Sequence, residues 1–399
     1  MTAVSTFTWL DHRDDDQQRV RDALAAFDQP GIVDPLGFGV VRDTFSEMLF
    51  PGVSTVQTRA RYFVFVPWVY QRLDRERVAP QDGARRARDL ELALIEALLR
   101  GTAEGERQGI IGRFSRQRTK QLPSFVYWGG LGRWGIRRFP GTRHEYVASL
   151  GRRRPTGRQG EHDEVDPNDP WPGLPEEPDA LFEETTLALD PSEADFLRDR
   201  VLRATKGTYL ELMVRDSTTE QDGREPWTHP LAADAPPHIR EQLHHARLFA
   251  VATLGAALLY NRLLSELLEE DGHEPLRTDY HARVDEWLDE VDAMHHDFAT
   301  WDREALWALV DRENPRAHAS RAFIDRWLDR VVRDPRAAAA HPEVVRDLIA
   351  QESRIKGPRA KLANRRARER SPGPQGGALM VFRWPQVRQI VGDIHAGLA

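Results

Sequence analysis

The run Gln57-Thr58-Arg59-Ala60-Arg61 sets two guanidinium groups and two polar side chains directly ahead of an apolar, aromatic stretch, Tyr62 to Tyr70. If a helix starts there, its first turn carries free backbone amides, and such an end favours anions. A phosphate or nucleotide contact by Arg59 or Arg61 is one reading. Pairing of both arginines with carboxylates of neighbouring helices is the other. The aromatic residues themselves, Tyr62, Phe63, Phe65, Val66, Trp68 and Val69, cover more than one helical face, as a buried central helix would.

Two basic segments offer a second kind of chemistry. From Arg107 to Arg158 there are thirteen basic residues against one acid, Glu145. Arg113, Arg116, Arg118 and Lys120 open this segment, and Phe125, Tyr127, Trp128 and Trp134 follow. Nucleic-acid sites combine cations that track the phosphate backbone with aromatic stacking surfaces, so the composition suits that use. A solvated basic face with its aromatics turned inward is the plainer alternative. Pairing with the acidic block Glu161 to Glu184 is a third. Ser353 to Arg370 is the other segment, with eight basic residues against Glu369 alone. Arg354, Lys356, Arg359, Lys361, Arg365 and Arg366 are its candidate phosphate contacts, and Gly357-Pro358 breaks the helix between them. The alternative here is the exposed tail of one helix and the start of the next.

Metal and catalytic chemistry finds little support. His295, His296 and Asp297, and the pair His244 and His245, are adjacent in the chain, whereas helical ligands share a face at a spacing of three or four. Asp292 has that spacing to His295 and His296, but no HExxH accompanies it. No GxSxG, Walker A loop or GxGxxG ahead of a helix occurs, and Gly129, Gly130 and Gly132 lack the Lys and Ser/Thr of a nucleotide loop. No catalytic residue, metal site or cofactor is expected.

The elements that would position these groups are mostly helical. Apolar periodicity predicts helices over 14–27, 40–49, 58–73 (with Pro67 kinking or ending it), 84–100, 192–205, 239–269, 280–300, 303–312, 319–332, 341–353 and 384–396. Only Phe125 to Trp128 and Ala378 to Phe382 read as short strands. The expected class is therefore mainly α. Six prolines and several glycines between Gly151 and Pro178 suggest a linker or a mobile loop. The expected layout is an N-terminal helical domain, 1–150, the linker 151–178, and a C-terminal helical domain, 179–399, carrying the basic arm 353–370.

Composition bounds the remaining choices. The 399 residues are 40% hydrophobic and 30% charged, enough for packed cores, with a net charge of −7. Cysteine is absent, which excludes disulfides, thiolate metal sites and cysteine nucleophiles, and fits a reducing compartment. Of 56 basic residues only Lys120, Lys206, Lys356 and Lys361 are lysine. The first twenty residues carry no basic region ahead of an apolar core, so no secretion signal is expected. The most apolar stretch, Leu248 to Leu259, is too short to span a bilayer, and a buried helix in a cytoplasmic protein with no membrane partner is expected.

Four segments carry a family likeness: Phe7 to Asp11 (FTWLD), Leu49 to Tyr70 (LFPGVSTVQTRARYFVFVPWVY), Leu122 to Ile136 (LPSFVYWGGLGRWGI) and Gly255 to Glu266 (GAALLYNRLLSE). With the closing Arg383 to Leu398, they resemble a bacterial family of about four-hundred-residue proteins known only as a domain of unknown function. That resemblance implies an association with anti-phage defence gene clusters that also encode helicases and phospholipase-D-type nucleases. It brings no activity and no catalytic residue. The expectation is a non-catalytic accessory component of such a system, binding nucleic acid, a helicase or nuclease of the same cluster, or both. An enzyme of unrecognised type, using Gln57, Arg59, Arg61 and the histidine pairs, and a purely structural adapter are the alternatives.

Overall fold

The computed structural model describes residues 34–152, 169–216, 223–274, 278–314, 320–370, 373–374 and 377–399. Among them are α-helices and short 3-10 turns but no strand, so the chain is mainly α. In chain order the helices are α1 (Gly39–Leu49), α2 (Tyr62–Arg75), α3 (Pro80–Gly101), α4 (Pro123–Arg133), α5 (Arg143–Ala148) and α6 (Pro191–Ala204). Next come α7 (Tyr209–Arg215), α8 (Leu231–Asp234), α9 (Pro237–Glu270), α10 (Tyr280–Ala293), α11 (His295–Ala299) and α12 (Arg303–Glu313). The last are α13 (Arg321–Arg333), α14 (Pro335–Ala340), α15 (Pro342–Lys356), α16 (Arg365–Glu369) and α17 (Trp384–Leu398). The helix expected over 14–27 and the FTWLD segment lie outside the described residues.

The chain forms two compact units, one of residues 42–247 with 381–399 and one of residues 1–41 with 248–380. Both are assembled from separated stretches of chain rather than from an N-terminal and a C-terminal half. Of the segment expected as a linker, 153–168 lie outside the described residues, and 169–178 are packed into the 42–247 unit. Trp171 is buried there and donates to the Tyr146 hydroxyl at 2.7 Å, the Pro175 carbonyl accepts from Trp68 Nε1 at 2.8 Å, and Glu177 is clasped by Arg72 and Arg75.

In the 42–247 and 381–399 unit, α2 is the central helix, buried on all sides from Tyr62 to Tyr70. It continues through Pro67, whose missing N–H leaves one carbonyl of the preceding turn without its helical partner. The amphipathic α3 lays Leu90, Leu94, Ile95 and Leu98 inward. α17 buries Trp384, Val387, Ile390, Val391 and Ile394 against α6 and α7, because an apolar stripe of that width is stable only when covered. α6 begins at Asp190, whose carboxylate caps the amides of Ser192 and Glu193 while Glu193 reaches back to the Asp190 amide.

Both strand expectations fail. Phe125 to Trp128 lies inside α4, where Pro123 occupies the first turn and Glu91 accepts the Ser124 amide at 2.7 Å, so capping and packing override the β-preference of the residues. Ala378 to Phe382 is irregular and leads into α17 through two left-handed residues, Phe382 and Arg383.

In the 248–380 unit, residues 248–270 of α9 form the core. α9 is 34 residues long and apolar enough to cross a membrane by length and composition, yet 72% of its apolar window is buried within the protein. Trp287 and Trp327 stack at 6.1 Å and donate to the Val251 and Ala252 carbonyls at 2.8 Å each. Gly255 lies beneath Trp287. The Asp34 carboxylate accepts the amides of Gly37, Phe38 and Gly39, which sets Phe38 against Phe249 and Phe323.

Candidate nucleic-acid interface

The Gln57 to Arg61 segment is a loop rather than the first turn of a helix. Three of its amides are taken by distant acceptors: the Tyr127 hydroxyl receives Thr58 N at 2.8 Å and Arg59 N at 3.0 Å, and Asp393 receives Ala60 N at 2.8 Å. α2 therefore starts at Tyr62, four residues later than periodicity suggests. Tyr127 also donates to the Arg59 carbonyl at 2.9 Å, and burial pushes its pKa up to about 12, so it remains a neutral donor. Gln57 is equally occupied, accepting from Ser54 N and donating to the Gly52 carbonyl.

Both arginines of this segment sit against carboxylates. Arg59 Nε lies 3.0 and 2.9 Å from the two oxygens of Asp393 on α17, and Gln389 donates to the same carboxylate. Arg61 makes a two-pronged pair with Glu193 at 2.8 and 2.7 Å and donates to the Thr186 carbonyl. Glu193 is fully buried, and desolvation raises its pKa against the opposing pull of Arg61. These geometries join the loop to α17 and α6, which is the carboxylate-pairing reading of the two arginines.

The Arg113 to Lys120 stretch is a surface loop anchored from below. Ile111 N donates to the Tyr62 hydroxyl, Thr58 Oγ1 donates to the Gly109 carbonyl, and Ile110 is buried. Thr119, buried, donates to the Arg116 carbonyl at 2.6 Å and shares a hydrogen bond with Ser115 Oγ. Arg88 on α3 donates to the carbonyls of Gln117 and Thr119 at 2.8 and 3.1 Å. Gly112 and Arg116, on either side of Phe114, both have positive φ. Phe114, at the tip, is 85% exposed, the one large hydrophobic side chain so placed among the described residues. The Arg113 guanidinium lies 4.4 Å from its ring centroid. Arg116 is 3.5 Å from Glu96, whereas Arg118 and Lys120 are exposed and make no ion pair among the described residues.

Of the four aromatics expected to stack on bases, Phe125 is half-buried with the Arg143 guanidinium 5.2 Å from its ring centroid, and the other three are placed inside. Tyr127, Trp128 and Trp134 are buried: Trp134 stacks on Phe63 at 4.0 Å and Trp128 donates to the Gly141 carbonyl. The exposed aromatic is Phe114, which the sequence reading passes over. Its one sequence signal is isolation, a single ring among cations, two residues after Gly112.

In the 248–380 unit the Ser353 to Arg370 segment is built around Glu352, which accepts Tyr260 Oη at 2.6 Å, Lys361 N at 2.9 Å and Leu362 N at 2.8 Å. Arg354 bonds Gln351 and Ser320, Arg365 sits 3.3 Å from both Asp271 and Glu369, and buried Arg368 pairs with Asp271 at 2.7 Å. Burial pushes the half-buried Lys361 ammonium below its ordinary range. Lys356, Arg359 and Arg366 make no ion pair among the described residues, and Arg359 and Arg366 are exposed.

Among the described residues no three His, Asp or Glu side chains converge as metal ligands, and His295 turns its Nδ1 to the Asp292 carbonyl. No curated protein and no solved structure matches the chain. A family model does match, over residues 4–397, and by it the chain belongs to the family of unknown function DUF6361.

Proposed function

We propose that the protein is a non-catalytic accessory component of a bacterial anti-phage defence system that binds nucleic acid, and that the Arg113 to Lys120 loop makes the primary contact. The observation that carries this reading is the loop itself: a braced turn projecting one exposed aromatic ring among Arg113, Arg116, Arg118 and Lys120. Cations beside a phosphate backbone release its condensed counterions, which gives affinity without sequence preference. Lys356, Arg359 and Arg366 are a second candidate surface, on the other unit. The defence setting, with a helicase or nuclease as partner, is supported by the family resemblance.

The test is fluorescence anisotropy with labelled DNA and RNA across a salt series. Wild-type affinity should fall steeply with salt. Replacing Arg113, Arg116, Arg118 and Lys120 with glutamine should weaken binding and flatten the slope by about 0.7 for each single-strand phosphate that is no longer neutralised. Absence of wild-type binding at low salt would sink the reading. Exposed Phe and Arg also anchor protein interfaces, so retrieval of a helicase or nuclease by a protein that binds no nucleic acid would favour the adapter reading.

A further inference from the structure

We infer that Phe114 is a base-stacking residue that makes the loop selective for unpaired nucleic acid over duplex. The inference rests on the nucleic-acid reading above and adds to it the form of the ligand. An aromatic ring left 85% exposed loses the stabilisation of burial, yet every other large apolar side chain in the described residues is at least partly covered. The loop does not expose it by slackness. Thr119, Ser115 and Arg88 brace the backbone beside it and sustain the positive φ of Arg116, a costly conformation for a residue with a Cβ.

The ring is already half of a stack. Arg113 covers one face at 4.4 Å, and the exposure leaves the rest of the ring to solvent. A flat, unpaired base can close on the open face, while Arg116, Arg118 and Lys120 stand within the same eight-residue loop to meet the flanking phosphates. Bases in a duplex are stacked on each other and offer only their edges in the grooves, so a single projecting ring gains little from them. Arg113 also raises the local positive charge on the stack, which suits the electron-rich face of a base.

The experiment compares wild type with Phe114→Ala, Phe114→Leu and Phe114→Trp, using a thymidine oligonucleotide, the same oligonucleotide with one 2-aminopurine, and a duplex of equal length. Expected results are about tenfold weaker single-strand binding for the alanine and leucine variants, near wild-type binding for tryptophan, and duplex binding unchanged, one stack being worth about a factor of ten or more. The 2-aminopurine emission should respond to wild type and Phe114→Trp but not to Phe114→Leu. The salt slope should be the same for all four proteins, since no charge is altered. Wild-type binding with leucine equal to phenylalanine, or with duplex affinity falling in parallel, would overturn the stacking role while leaving phosphate binding intact. A wild type that binds neither form would overturn both.

Discussion

Arg59 and Asp393 stand 334 positions apart in the chain and are joined by a two-oxygen ion pair at 2.9 and 3.0 Å, with Ala60 N bonded to the same carboxylate. The last helix thereby closes the loop on which α2 and α4 converge. Asp393→Ala should lose about 2–3 kcal/mol, because it removes a charged acceptor from three donors at once. Denaturant unfolding gives the number, and a loss under about 0.5 kcal/mol would show that α17 is held by its apolar face alone.

Glu91 provides a pH test. It is buried, accepts both the amide and hydroxyl of Ser124, and desolvation raises its carboxyl above the ordinary 4.5. The folded state then holds the proton more tightly than the unfolded chain. Its stabilising contribution is complete below about pH 4.5 and is lost as pH rises through the folded value. Glu91→Gln keeps an acceptor for Ser124 and cannot ionise. Relative to wild type, the variant should gain stability as pH rises above 4.5; an unfolding free-energy difference independent of pH would refute the assignment.

Gly255 should tolerate no side chain. A Cβ there would lie 2.2 Å from Cζ2 of Trp287, the ring that stacks on Trp327. In an open helix Gly→Ala stabilises by about 1 kcal/mol. Here Gly255→Ala should instead destabilise by about 1–3 kcal/mol, with Gly255→Leu worse. A raised melting temperature for the alanine variant would contradict the packing.

Arg88 braces the Phe114 loop without being part of its exposed surface. Arg88→Ala should cost about 1 kcal/mol or less in global stability, since the carbonyls it releases can be hydrated. Trypsin should nevertheless cut the variant faster after Arg116 and Arg118, because the turn would open locally. Equal cleavage rates would mean that Thr119 alone holds the loop.

Arg366 and Arg368, two positions apart on α16, should behave oppositely. Arg366 is exposed, and Arg366→Gln should change stability by less than about 0.5 kcal/mol. Arg368 is buried, pairs with Asp271 and donates to the Lys361 and Leu362 carbonyls, so Arg368→Gln should cost about 2–3 kcal/mol. Similar melting temperatures for the two variants would refute that division.

Local pattern sufficed wherever the helical period was clean. The stretches 239–269, 303–312 and 384–396 appear as α9, α12 and α17 within a few residues, and the surrounded character of Tyr62 to Tyr70 was legible from its apolar coverage. What the local pattern could not supply was partnership. Phe125 to Trp128 prefers a strand taken alone and is helical because Glu91 caps its first turn and Gly130 lets the backbone approach Gly52. Arg59 and Arg61 look like anion ligands until Asp393 and Glu193 are brought to them from more than 130 positions away. Phe114 is exposed while Trp134 is buried, although both stand in the same basic stretch. Propensity and periodicity act over a few residues, whereas burial and ion pairing are set by which distant segments meet, and only the folded chain decides that.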